Sequence, residues 1–304
     1  MTFTTRLKEE ISKNDSNNID DIYTLNSFVK YNSKVGKQIS ITLENASVTR
    51  YIYKLIKEFY NVRPQIVVRN QKRFRVKQIY IIIINDRIDY IKDLINNNLP
   101  DNNEEIIAYL KGAFLASGTV SNPSTSGYHL EFIASSLDDS KYIEKLLGNF
   151  RITAKHVKRG YKYVTYVKAS EQISDIIKMF RAINSLFEFE DVRIYRDHKN
   201  MVNRLNNCEI ANQEKTLTTG MKQVEEIKFL KEKDLFNLLD EKVQVVAEYR
   251  LKYPESSYQE LAEIISLESD YKIGKSGVNH NFIKIRELIK KYNKNKESDN
   301  SGNF

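Results

Sequence analysis

A chain of 304 residues that is 41% hydrophobic and 29% charged can bury a sizeable core, and its length suits about two domains. With 10 Gly and 4 Pro it is neither collagen-like nor rich in linkers and hairpins, and its single cysteine, Cys208, excludes both an internal disulfide framework and a cysteine-based zinc site. No stretch approaches the roughly 18 uncharged apolar residues of a membrane span, and residues 1–10 hold no apolar run of the secretory kind, so a soluble cytoplasmic protein with no membrane partner is expected.

The formal charge of +8 has to be located before it is interpreted. Lys, Asn, Ile and Tyr are all abundant, the profile of an A- and T-rich coding sequence, which raises lysine without any partner. Two segments nevertheless concentrate cations. Residues 48–80 hold nine Lys or Arg against Glu58 alone, and residues 272–296 hold eight against Glu287 alone. Charge polarised into two separate stretches points to a polyanionic partner.

In chain order, residues 19–31 read as a helix, 39–43 as a strand, the region around 51–56 as a helix, 65–69 and 75–84 as strands, and 89–97 as a helix. The same series then returns: helix 104–116, strand 128–135, helix around 142–147, strands 154–158 and 161–168, helix 170–183. Period-2 alternation and β-branched residues mark the strands. Tyr51-Ile52-Tyr53-Lys54-Leu55-Ile56 matches Tyr142-Ile143-Glu144-Lys145-Leu146-Leu147 at an offset of 91, so a duplicated α/β unit with a pseudo-two-fold axis is expected. A hinge is expected near 196–206, followed by helices at about 208–231, 241–252, 258–265 and 277–292.

Two segments carry most of the chemical information. In Tyr109-Leu110-Lys111-Gly112-Ala113-Phe114-Leu115-Ala116-Ser117-Gly118, glycine within a helix costs about 1 kcal/mol against alanine and wants a reason. Ala108, Gly112 and Ala116 recur every fourth residue, a ridge without bulk along which a second helix can approach closely. Gly118 is expected as a left-handed C-cap. Near the C-terminus, residues 255–265 read as a capped short helix with Leu261, Ile264 and Ile265 inward. A turn follows, then a helix in which Ser276 is a suitable N-cap and Val278, Phe282, Ile285 and Ile289 form one buried stripe. His280, Lys284 and Glu287 then face outward, with Asn279 and Asn281 on the flanks. Short helix, turn and cation-rich second helix is the helix-turn-helix arrangement. Its second helix suits the major groove, where amides such as Asn pair with adenine edges while Lys and Arg neutralise phosphates. With 4 His and no His/Glu cluster at ligand spacing, no transition-metal site and no cofactor are expected.

Residues 110–118 resemble the motif of LAGLIDADG homing endonucleases, and Leu25-Asn26-Ser27-Phe28-Val29-Lys30-Tyr31-Asn32-Ser33 is the counterpart in the first half. In that family an acidic residue at the eighth letter of each helix holds divalent metal; here the eighth positions are Asn32 and Ser117, neither of which carries the charge that hard cations favour. Such a domain joined to a C-terminal helix-turn-helix resembles the WhiA family of bacterial regulators. Residues 3–10, 110–120, the run Asn200-Met201-Val202-Asn203-Arg204-Leu205-Asn206-Asn207-Cys208-Glu209-Ile210-Ala211-Asn212 and Gly274-Lys275-Ser276-Gly277-Val278-Asn279-His280 carry that resemblance, which covers nearly the whole chain up to about Tyr292.

The resemblance implies an α+β chain: a pseudo-two-fold LAGLIDADG-like αββαββα duplicated domain over 1–196, with repeats of about 1–100 and 101–196, then a linker and long helix over 197–232. An all-α helix-turn-helix domain follows over 233–293, its motif at about 257–291, and then a disordered tail over 294–304. It further implies a nucleoid-associated, sequence-specific regulator of transcription that binds double-stranded DNA, has no nuclease activity, and acts in cell division and chromosome segregation, and in sporulation where that occurs. The expected DNA contacts of the helix-turn-helix are Tyr258, Gln259, Lys275, Ser276, Asn279, His280, Asn281, Lys284 and Arg286, and a second basic surface is expected from Arg69, Arg73, Arg75 and Lys77. Arg204 either orients the linker helix or touches phosphate. A monomer is expected, with an RNA polymerase sigma factor or another regulator as the protein partner this role admits. Two other readings stay open: a metal-dependent endonuclease with unusual ligands, against which the missing carboxylates speak, and a ligand- or protein-sensing scaffold with an accessory DNA-binding domain.

Overall fold

The computed structural model describes residues 1–14, 19–71, 78–125 and 127–300, with the backbone alone at position 35 and over 295–300. The chain divides into two compact units, Met1–Asp197 and His198–Phe304. Among the described residues no helix is long and apolar enough to cross a membrane.

The first unit opens with helix α1 (Phe3–Lys13), whose Phe3, Leu7 and Ile11 recur every fourth residue and are buried. Two copies of one series follow. The first is α2 (Asp21–Asn32), β1 (Ser33–Val35), β2 (Ile39–Leu43), α3 (Ala46–Phe59), β3 (Gln65–Asn70), β4 (Gln78–Ile84) and α4 (Ile88–Asn97). The second is α5 (Asn103–Ser117), β5 (Thr119–Val120), β6 (Leu130–Ala134), α6 (Leu137–Gly148), β7 (Lys155–Arg159), β8 (Lys162–Val167) and α7 (Ser170–Met179). Each builds an antiparallel four-stranded sheet, in the orders β1-β2-β4-β3 and β5-β6-β8-β7. The alternation read from sequence decides the faces: Ile39, Ile41 and Leu43 on β2, and Leu130 and Phe132 on β6, all point into one core. Each fully buried side chain of this size contributes about 1.5–3 kcal/mol relative to exposure.

The two copies meet through α2 and α5. Gly112 lies on that contact, where an added Cβ would collide with the Thr24 carbonyl oxygen and the Ser27 hydroxyl. The glycine therefore serves close approach, as its spacing with Ala108 and Ala116 anticipates. Gly118 corrects an expectation: its φ of −71° and ψ of 147° are extended, not left-handed. What requires glycine there is crowding, since a Cβ would strike the Phe114 ring and backbone.

Helix α8 (Ile183–Glu232) runs for 50 residues through the stretch read as a hinge. No Gly or Pro interrupts residues 183–219, and the asparagines around 203–207 lower helix propensity without stopping a helix. Its real beginning is set earlier. Helix α7 ends at Met179, Arg181 turns with φ of 57°, and the Glu10 carboxylate accepts from the backbone amides of Asn184 and Ser185 at 2.7 and 2.9 Å. A carboxylate at this end answers the positive pole of the helix.

The second unit takes the later part of α8, a 3-10 turn (Phe236–Leu238), α9 (Glu241–Lys252), α10 (Tyr258–Glu268) and α11 (Lys275–Asn300). Ile227 and Leu230, Val243 and Val246, Leu261 and Ile265, and Val278, Phe282 and Ile285 form its separate core. Helix α11 continues to Asn300 through part of the segment expected as a disordered tail; residues 301–304 lie outside the described ones.

Candidate nucleic-acid interface

Helix α10 is fixed at its start by a capping box, in which Ser257 Oγ accepts from the Glu260 amide at 3.2 Å and the Glu260 carboxylate accepts from the Ser257 amide at 2.7 Å. Those bonds hold the Glu260 carboxyl below the usual carboxylate range, the Ser257 backbone amide contributing most. Helix α11 begins at Lys275, so Ser276 sits in the first turn and not at the cap, and Gly277 is pressed against the Ile273 side chain.

On α11 the inward stripe falls as read: Val278, Phe282 and Ile285 are fully buried and Ile289 packs beside them. The opposite side presents Lys275, Ser276, Asn279 and His280 to solvent. Asn281 departs from the expectation. It is 6% exposed, adjacent to Phe282 on the core side, and presents little of its side chain to solvent. Lys284 is ion-paired with Asp240 at 3.0 Å, and Arg286 donates from Nε to the Phe282 carbonyl at 3.2 Å. Arg286 also faces Glu226, whose carboxyl burial pushes up, an effect that Arg286 and Lys222 oppose. Tyr258 is half core: its ring stacks on Phe282 with centroids 5.9 Å apart and its hydroxyl accepts from Gln223 Nε2 at 2.6 Å. Gln259 is exposed and bonded to Glu263 at 2.7 Å. Lys275, Ser276, Asn279, His280 and Gln259 thus share the N-terminal ends of α10 and α11, while Lys284 and Arg286 lie further along and Arg204 is exposed on α8.

In the first unit, β3 and β7 occupy equivalent edges and every residue of both strands is exposed. Arg69 lies on β3; Arg73, Arg75 and Lys77 fall outside the described residues. Strand β7 adds Lys155, Lys158 and Arg159, which sequence reasoning passed over. The 91-residue repeat could have found them, because it maps the basic first-half edge onto this strand.

The ends of α2 and α5 decide whether the fold's metal chemistry fits. Asn32 and Ser117 are the last residues of their helices. Ser117 Oγ donates to the Ile133 carbonyl at 2.7 Å, a tie to β6 that consumes its proton. Asn32 lines a cavity of about 370 Å³ with Thr4, Lys8, Glu44, Asn45 and Thr119. Burial lowers the Lys8 ammonium to about 8, with Glu44 opposing the shift, and its Nζ stands 5.6 Å from the Phe114 ring centroid. An amide, a committed hydroxyl and a lysine beside a single carboxylate, Glu44, do not make the set of oxygen anions a divalent ion takes. Among the described residues no group of three His, Cys, Asp or Glu is placed to hold a metal ion.

The duplicated sheet-and-helix unit and the capped helix pair define a class: a LAGLIDADG-like domain joined to a helix-turn-helix domain. Family models agree segment by segment. The WhiA N-terminal LAGLIDADG-like domain matches residues 25–96, the WhiA LAGLIDADG-like domain 106–199, and the WhiA C-terminal HTH domain 202–289. The chain is 35% identical over 308 residues to the "Probable cell division protein WhiA" of Staphylococcus aureus (strain JH9), covering 96% of this chain and 97% of that protein. The full-length WhiA crystal structure from Thermatoga maritima superposes with a TM-score of 0.58 at 21% identity, covering 96% of this chain and 99% of that one. An N-terminal WhiA LAGLIDADG domain gives 0.51 at 18% identity, over 59% and 90%. The chain belongs to the WhiA family.

Proposed function

We propose that this chain binds double-stranded DNA at chosen sequences and regulates transcription in the service of cell division and chromosome segregation, without cutting the duplex. The observation that carries the reading is the division of α11 into two faces. Val278, Phe282 and Ile285 are locked in the core, so Asn279 and His280 are held outward beside Lys275 at the N-terminal end. Recognition helices read base edges from that end, and an exposed Asn can bond an adenine edge with both its amide groups. The naming of the Staphylococcus aureus relatives as cell division proteins supports the cellular role. Residues 1–196 then form the inherited scaffold, 197–232 the linker and long helix, and 233–293 the reading head.

The test is selection of duplexes from a random pool by the wild type and by an Asn279→Ala, His280→Ala variant. The wild type is expected to enrich one motif and the variant to lose that preference while keeping its melting temperature. A variant with unchanged preference overturns the reading. Absence of cleavage rests on Asn32 and on the committed Ser117 hydroxyl; reproducible site-specific cuts in DNA incubated with Mg²⁺ or Mn²⁺ would overturn that part.

A further inference from the structure

Beside its buried stripe, α1 carries a polar flank of Thr4, Lys8 and Ser12, spaced four residues apart. Both ends of that flank are fastened. Thr4 Oγ1 donates to the Val120 carbonyl at 2.8 Å and accepts from the Val120 amide at 2.9 Å, and Ser12 Oγ is hydrogen-bonded to Ser47 Oγ at 2.9 Å. Lys8, midway between them, has no such tie. Among the described residues no hydrogen bond or ion pair engages its ammonium, which stands near the Phe114 ring. Removing a cation from water without a paired anion is costly. The two anchors nevertheless hold Lys8 where it is.

What Lys8 faces is space. It borders the cavity of about 370 Å³ already described, a size within the roughly 300–1,000 Å³ of small-ligand pockets. Leu43, Val48 and Leu115 give that cavity an apolar wall, and all three are buried. Asn32, at the end of α2, adds an amide that has no hydrogen-bond partner among the described residues. Glu44 is the one carboxylate of the lining; it acts on Lys8 through space and makes no ion pair with it. Two opposite charges thus border one recess without closing on each other. A simple anion entering it meets attraction from Lys8 and repulsion from Glu44, whereas a molecule with both charges answers both groups.

We propose that this cavity binds a small zwitterion of the amino-acid class, its carboxylate on Lys8 and its ammonium on Glu44, with the Asn32 amide and the apolar wall selecting the remainder. Helix α1, which the second half lacks, is then the element that equips one end of the paired helices for a ligand.

The experiment titrates the full chain at pH 7 with the proteinogenic L-amino acids one at a time, and with acetate and ethylamine as probes of one charge each, followed by calorimetry and by melting temperature. At least one amino acid is expected to bind and to raise the melting temperature, with acetate and ethylamine at least tenfold weaker. Lys8→Met should weaken that binding about tenfold or more, the loss of one charge-assisted contact. The lysine is unpaired in the free protein, so this variant keeps its fold and its loss of binding cannot be ascribed to unfolding. Glu44→Gln should bring the amino acid down to the affinity of acetate. Binding by no amino acid overturns the proposal, as does binding that Lys8→Met leaves unchanged. Acetate binding as tightly as the amino acid overturns the zwitterion assignment.

Discussion

The two halves of the first unit share a strand order but divide the chemistry of their common contact unequally. Helix α2 buries polar groups, Asp21, Thr24, Asn26 and Ser27, whereas α5 offers Ala108, Gly112 and Ala113. Thr24 Oγ1 donates to the Ala108 carbonyl at 3.0 Å, Asn26 accepts from the Tyr60 hydroxyl at 2.9 Å, and Asp21 pairs with Lys111 at 3.2 Å. At Ala108 and Gly112 the second helix meets α2 with backbone and bare surface, at Lys111 with a side chain, and Asn26 is satisfied within its own half. A duplicated topology can therefore keep its axis while its copies diverge, provided that each buried polar group finds a partner in either half.

Exchanging the partners tests this division most severely. Gly112→Ser places a Cβ against Thr24 and Ser27 and should cost about 3 kcal/mol, read by urea unfolding of the full chain. Adding Ser27→Gly, its counterpart in the motif, should recover less than half, because the Thr24 carbonyl still blocks the new side chain. Full recovery would mean that the two helices are interchangeable at this contact.

Helix α1 has no counterpart before α5, and Lys8 tests its contribution. Because burial holds its folded value near 8 against an ordinary 10.5, the unfolded chain binds more protons between those limits. This group's penalty is complete below pH 8 and fades as pH rises toward 10.5. Lys8→Met should add about 2 kcal/mol at pH 7 and flatten the rise in stability that the wild type has across that window. A variant no more stable at pH 7 than the parent would show that the cavity keeps the ammonium well solvated.

The smallest effects distinguish the two helix ends. Ser117→Ala loses the bond to Ile133 and should cost about 1 kcal/mol, whereas Asn32→Ala, at the cavity wall, should change stability by less than about 0.5 kcal/mol. Equal costs would remove the asymmetry at this point.

Much of this was legible from residue order. Strand β2 and the stripe on α11 lie where alternation and periodicity put them, because one face of each is buried in a single core. Strands β1 and β5 escaped notice because three and two residues are too short to show a period. Helix α1 was readable from Phe3, Leu7 and Ile11 and was passed over as part of a family segment. Asn281 was assigned by helical angle to a flank, yet the α11 core is wide enough to take it in. The seating of α8 beside the segment before α10 had no local signal at all: Gly220 lies against the Pro254 carbonyl, a contact that neither residue announces in the sequence.

Asn32 and Ser117 stand at the last residue of each paired helix, beyond the stretch where Gly112 meets Thr24 and Ser27. Reactivity at such a rim is modular. A lineage can discard it one residue at a time, and even recycle a vacated corner as a fastening to the neighbouring strand, while the joint between the helices never has to be reinvented.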